Sequence, residues 1–159
     1  MKKLALLFTG LSLCVATGCS DDNDNIREAP LVGVWQPIKE VVTTVEVDEV
    51  PVSDVITYTD CQKTSRWWFS TETTGKRMDV GDSATPGECN VLPEKIYTYT
   101  YDKSSKDIQI KYQGTVEPSR GKVVTLDDTT LNLAIREETQ DPTVFKTRTY
   151  TFKRVNLQK

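Results

Sequence analysis

The sequence predicts an all-β domain, specifically a single up-and-down antiparallel β-barrel of about eight strands. Three observations lead there. Beyond residue 18, Thr, Val and Ile supply 43 of 141 residues, against 3 Ala and 6 Leu, a bias toward side chains that suit a pleated surface over good helix formers. From Leu31 onward apolar and polar residues alternate with period two, broken by turn residues about every 8–12 positions. No ten-residue stretch carries a helical apolar stripe. Consecutive strands joined by short links favour a meander closed into a barrel, because closure removes exposed edges. A two-sheet sandwich fits less well, since its crossings need longer links.

The elements follow in order. Residues 38–47 are β-branched and alternating, with Val41, Thr43, Val45 and Val47 on one face, and residues 52–58 extend that strand or form a short one of their own. Residues 64–71 place Trp67 and Phe69 on one side and Trp68 on the other, so that one of the two tryptophans is expected at the surface as a contact. Thr74-Gly75-Lys76 is a turn into a return strand at 76–80. Gly81, Pro86, Gly87 and Pro93 mark residues 81–93 as a loop. Residues 94–102 put Tyr97, Tyr99 and Tyr101 on one face, and residues 107–112 align Ile108, Ile110 and Tyr112. After the break at Pro118–Gly121 come a strand at 122–126, the Asp127-Asp128-Thr129 turn, and a strand at 130–136 with Leu131, Leu133 and Ile135 aligned. The last strand, 145–154, carries Tyr150 and Phe152 on one face and Thr147, Thr149 and Thr151 on the other.

The N-terminus reads as an export signal over residues 1–18. Lys2 and Lys3 are its positive start, an apolar run extends from Leu4 to about Ala16, and Ala16-Thr17-Gly18 offers a small-residue cleavage site directly before Cys19. The run is too short to stay in a ~30 Å bilayer core as a spanning helix. Residues 19–30 are acidic and polar and are expected to form a disordered tether, leaving 31–159 for the barrel. Asp21, Asn23 and Asn25 match the first three ligand positions of a calcium loop, but Ile26 stands where its glycine must be and Val32 where its glutamate must be. The acidic balance of the exported part, 18 basic against 23 acidic residues, argues against nucleic acid as a partner.

Four cysteines are present. Leu13 makes Cys14 a poor cleavage site and Cys19 stands at the cleavage site itself, while Cys61 and Cys89 are a pair in an oxidising compartment, expected to form a structural disulfide. A catalytic or redox thiol lacks a C-x-x-C partner and an imidazole. With no His in the chain, imidazole bases and ligands are excluded. Asp127-Asp128 reads as a turn former and Glu137-Glu138 as a strand end, and no glycine stands five residues before Gly121 to build a phosphate loop. The expectation is therefore no enzyme, no metal and no cofactor.

The stretch Ala16-Thr17-Gly18-Cys19 resembles the lipobox of bacterial lipoproteins, with Ala16 where that family usually has Leu. The resemblance implies lipidation of Cys19, with palmitate as the expected acyl chain, cleavage before it, and residence at the outer membrane on its periplasmic or surface-exposed face. The acidic residues 20–30 look like the stretch that follows the lipid-bearing Cys in surface-exported lipoproteins of Bacteroides-type bacteria. Gly33-Val34-Trp35 at the start of the first strand, with Arg154 at the end of Tyr150-Thr151-Phe152-Lys153-Arg154, is similar to the lipocalin signature. In that family the Arg covers the Trp at the closed end of the barrel, so Gly33, Trp35 and Arg154 are expected to be structural. Residues 31–155 look like the lipocalin-like domain of secreted lipoproteins from Bacteroides-type bacteria.

A barrel of this size either holds one small ligand or is filled by its own side chains. The aromatic faces nominate Trp67, Phe69, Tyr97, Tyr99, Tyr101 and Tyr112 as ligand-binding residues, joined by Ile108, Ile110, Leu131, Leu133, Tyr150 and Phe152 as lining. Two functions follow. One is a membrane-anchored carrier of a small apolar, amphipathic or glycan ligand. The other is an interaction or inhibitor-type lipoprotein with a solid barrel, meeting a protein partner through its loops.

Overall fold

A computed structural model describes residues 29–156. Eleven strands alternate along it: β1 Gly33–Glu46, β2 Val52–Thr57, β3 Arg66–Phe69, β4 Thr74–Met78, β5 Val80–Asp82, β6 Cys89–Val91, β7 Lys95–Tyr101, β8 Asp107–Tyr112, β9 Ser119–Leu126, β10 Thr130–Glu137 and β11 Val144–Arg154. The main sheet runs β11-β10-β9-β8-β7-β4-β3-β1-β2, and β11 also pairs with β1 from Trp35↔Arg154 to Glu46↔Val144, which closes it. All pairings are antiparallel.

The eight-stranded ring emerges from the nine strands of the main sheet once β2 and β3 are read as a single wall. β2 and β3 both pair with the same edge of β1, β2 opposite Lys39–Thr44 and β3 opposite Gly33–Trp35, so together they are one strand interrupted by a 3-10 turn at Gln62–Thr64. β1 bulges between Pro37 and Lys39, level with that break, because proline supplies no N–H to a ladder. Residues 81–93, expected to be a loop, instead carry the β5–β6 ribbon, which prolongs the β4–β7 hairpin through Val80↔Val91 and Asp82↔Cys89. The glycines and prolines that suggested a loop occupy its tip and edges, where a two-stranded ribbon tolerates them. Cys61 and Cys89 form a disulfide that staples this ribbon to the break in the second wall. Val80 N–H donates to Ser65 Oγ at 2.9 Å and Thr59 Oγ1 to Asp82 Oδ1 at 2.9 Å along the same seam.

The two ends of the barrel differ. The turns at 70–73, 102–106 and 127–129, the start of β1 and the end of β11 lie at one end; the connections at 47–51, 83–88, 113–118 and 138–143 lie at the other. Inward side chains at the first end are apolar and fully packed: Trp35, Phe69, Ile108, Leu131, Leu133 and Phe152 are all at or below 1% exposure. Gly75 makes room for the packing, since a Cβ there would lie 2.4 Å from both the Trp68 carbonyl and the Tyr97 ring. Trp68 is not the exposed contact the alternation suggested. It is half-buried on the outer face, with Lys76 Nζ 5.0 Å over its ring.

Candidate functional site

The closed base is built from the residues that open and end the barrel. Trp35 is fully buried and donates from Nε1 to the Leu31 carbonyl at 2.9 Å. The Arg154 guanidinium lies 4.1 Å over its ring and spreads to two carbonyls, Nη1 to Val32 at 3.1 Å and Nη2 to Pro30 at 2.6 Å. The planar fork of arginine suits this double task. Gly33 has φ of 151°, a backbone conformation that favours glycine, and a Cβ on it would stand 2.5 Å from Arg154 Nη1 and push the guanidinium from its place. At the closed base Gly33, Trp35 and Arg154 thus lie against one another. The tether, expected to continue through residue 30, is already docked here: Ala29 is buried and Pro30 accepts from Arg154. Cys19 and the signal over 1–18 lie outside the described residues.

Above the packed core the inward faces change character. Along β10, Leu131, Leu133 and Ile135 give way to Glu137; along β11, Phe152 and Tyr150 give way to Arg148. The same reversal brings Arg77 inward on β4 and Glu40 inward on β1, where Glu40 is 7% exposed. Two networks satisfy these charges, as burial requires. In one, Arg148 donates from Nη1 to Glu40 and from Nε to Glu137 Oε1 at 2.5 Å, while Tyr58 O–H donates to Glu40 Oε2 at 2.8 Å and Lys146 Nζ sits 3.1 Å from Glu137 Oε2. In the other, Arg77 Nε donates to both Asp79 oxygens at 2.9 Å and Nη1 donates to the Tyr112 hydroxyl at 3.1 Å. The Arg77 guanidinium stacks 4.3 Å over Trp67, whose rim meets Tyr150 and Phe152 with ring centroids 5.4 and 5.2 Å away.

Between these networks the barrel opens into a cup of about 1060 Å³. Trp67, Arg77, Ile110, Tyr112, Ile135 and Tyr150 line its depth, and the 113–118 and 138–143 connections form much of its rim. A side recess of about 440 Å³ shares Arg77, Tyr112 and Thr115 with the cup and adds Lys95, Ile96 and Gln113. Of the six nominated aromatics, the structure brings Trp67 and Tyr112 to this wall. Phe69, Tyr97 and Tyr99 sit below it in the packed core, and Tyr101 packs against that core at the closed end. Their phenols serve the wall itself: Tyr97 donates to the Trp68 carbonyl at 3.0 Å and Tyr99 to the Thr71 carbonyl at 2.5 Å. Sequence reading missed Glu40, Arg77, Asp79 and Arg148 and took Glu137 only as a strand end. The available signal was a charge standing on the parity of an otherwise apolar face, as Arg148 does before Tyr150 and Phe152. Asp127 is the turn former it resembled, accepting from the Thr129 and Thr130 amides at 2.7 Å. Among the described residues no group of three His, Cys, Asp or Glu converges on a possible metal position.

Burial raises the phenols of Tyr58, Tyr97, Tyr112 and Tyr150 above their ordinary value. Burial, with Glu72 nearby, pushes Tyr99 up to about 12. A raised folded value means that the neutral phenols add stability that is whole below the unfolded value of about 10 and is lost as pH rises above it. Alkaline titration is therefore expected to show phenolate absorbance rising in one cooperative step together with loss of the β-sheet circular dichroism signal. Smooth ionisation near pH 10 of all six tyrosines with the fold intact would contradict the packing described.

The fold and the cup define a small calyx: a β-barrel sealed at one end by a Trp–Arg plug and open at the other, an architecture consistent with binding a small ligand. The chain belongs to the lipocalin-like domain family, whose model matches residues 31–133. Among solved structures it is similar to lobster apocrustacyanin A1 and to apocrustacyanin C2, each at 14% identity with a TM-score of 0.45, over 80% of this chain. The match spans 62% of the length of either crustacyanin chain. No curated protein sequence matches the chain.

Proposed function

We propose that this protein is a lipid-anchored binding protein of the bacterial outer membrane whose cup holds a small amphipathic ligand. The cup of about 1060 Å³ above a sealed core carries this reading, being of the size of small-molecule pockets. The anchor rests on the lipobox-like sequence ending at Cys19. Because Ala29 and Pro30 dock at the closed base, a lipid at Cys19 would turn the base toward the membrane and the mouth away from it. The ten residue spacings from Cys19 to Ala29 reach at most about 35 Å, so the ligand would be taken from the aqueous side.

Native mass spectrometry tests this. The full chain carrying Cys19→Ser, secreted without a lipid, is expected to retain a co-purifying mass that is lost on denaturation. A clean apo mass that stays unshifted against a lipid and glycan panel would sink the carrier reading. It would favour the second reading, a protein-binding surface, which the exposed Val91 and Leu92 beside the β5–β6 ribbon support.

A further inference from the structure

The polar floor of the cup says which ligands suit it. A wholly apolar molecule pressed onto Trp67 would strip water from Arg77 and return no hydrogen bond, at a cost that desolvation of a charged group makes large. The charge at this floor is uneven. Arg77 and Lys95 share a single carboxylate, Asp79, with Lys95 Nζ 3.5 Å from its Oδ2. The other acid, Glu94, lines the side recess and is paired with Lys76 Nζ at 2.8 Å. Higher on the wall, Glu137 is held by Arg148 and Lys146, and Arg120 and Arg136 offset Glu117 and Glu138 at the rim. The Arg77 bonds to Asp79 and Tyr112 use Nε and Nη1, so the third nitrogen, Nη2, takes no part in them. Stacking on Trp67 fixes the guanidinium plane before any ligand arrives.

We infer that the cup binds an amphipathic carboxylate head first, the head group docking on Arg77 where the cup and the side recess meet. The apolar chain then lies along Ile135 and Val144 toward the mouth. Tyr112 acts as a positioning residue, orienting the guanidinium from Nη1. This rests on the proposal that the cup holds a ligand, and its test keeps the two apart.

The test titrates decanoate, its methyl ester and decanol into the full chain carrying Cys19→Ser, by calorimetry at neutral pH. Decanoate is expected to bind at least tenfold more tightly than the ester or the alcohol, as a charge-assisted hydrogen bond to arginine supplies. Arg77→Lys is expected to reduce that preference about tenfold. Tyr112→Phe, which keeps the ring, is expected to reduce it by a smaller factor, the acid losing more affinity than the ester. Equal affinity for the three probes would overturn the head-group assignment while leaving a ligand-binding cup. A carboxylate preference that survives both variants would overturn its placement on Arg77. If none of the probes binds and native mass spectrometry shows no adduct, the ligand reading itself falls. The ester-against-acid comparison needs no variant, so the inference stays open to refutation even if Arg77→Lys does not fold.

Discussion

Replacing Trp35 with alanine is expected to lower the stability of the barrel by about 3–5 kcal/mol, the range for emptying a fully buried indole site. Nothing nearby can collapse into the space. The ring is fully buried, capped by Arg154 at 4.1 Å and tied by its N–H to the Leu31 carbonyl. Loss of the indole also removes the surface on which the guanidinium rests, and with it the pre-set geometry for the Pro30 and Val32 carbonyls. Arg154→Lys is expected to cost less but in the same place, since one ammonium cannot serve both carbonyls as the fork does. Urea unfolding measures both. The comparison that decides is Trp68→Ala, which removes an equally large ring from the half-buried outer face. If Trp35→Ala costs no more than Trp68→Ala, the base is not what holds the barrel shut.

Cutting the Cys61–Cys89 bridge is expected to cost about 3–4 kcal/mol in the chain-entropy account of a loop of 28 residues. The effect has a location as well as a size. The β5–β6 ribbon has only three ladder pairs and is fastened to the second wall by the disulfide, the Ser65–Val80 bond and the Thr59–Asp82 bond. In the Cys61→Ser, Cys89→Ser double variant, hydrogen exchange is expected to speed up first in residues 80–91, with the Trp35 base still protected. An unchanged denaturation midpoint after complete reduction would show that the ribbon contributes nothing to the folded state. Uniform acceleration of exchange throughout the barrel would show that the staple acts on the whole domain.

The barrel class was legible in the chain because its signal is local. β-branched enrichment and period-two alternation describe how each segment meets a core, and no long-range information is needed to see them. The cysteine pairing was legible by elimination, once Cys14 and Cys19 had been assigned to the expected export signal and its lipid-bearing end. Gly33, Trp35 and Arg154 were nominated only through the resemblance their spacing carries; their contact at the base is a matter of the closed ring. The ribbon at 80–91 was misread as a loop, since glycine and proline mark the edge of a short hairpin as strongly as they mark a coil. The candidate site was legible in part. Trp67 and Tyr112 reached the cup, whereas Phe69, Tyr97, Tyr99 and Tyr101 did not, although all six show the same alternation.

What the sequence determined by itself was therefore the class of fold and which side chains share a face of their strand. Parity along a strand is a covalent property of the pleat, and it survives without knowledge of neighbours. What only the tertiary structure decided was height within the barrel. Strand stagger sets whether an inward aromatic lands in the packed layer or on the cup wall, and stagger depends on the bulge at Pro37–Lys39 and on the break between β2 and β3. The same stagger brings Arg77 against Trp67 and Tyr112, and Arg148 between Glu40 and Glu137. These residues are distant in the chain, and their charges become tolerable in the barrel only as partners. Alone on their strands they look like surface groups, which is why the polar floor of the cup was invisible until the walls closed.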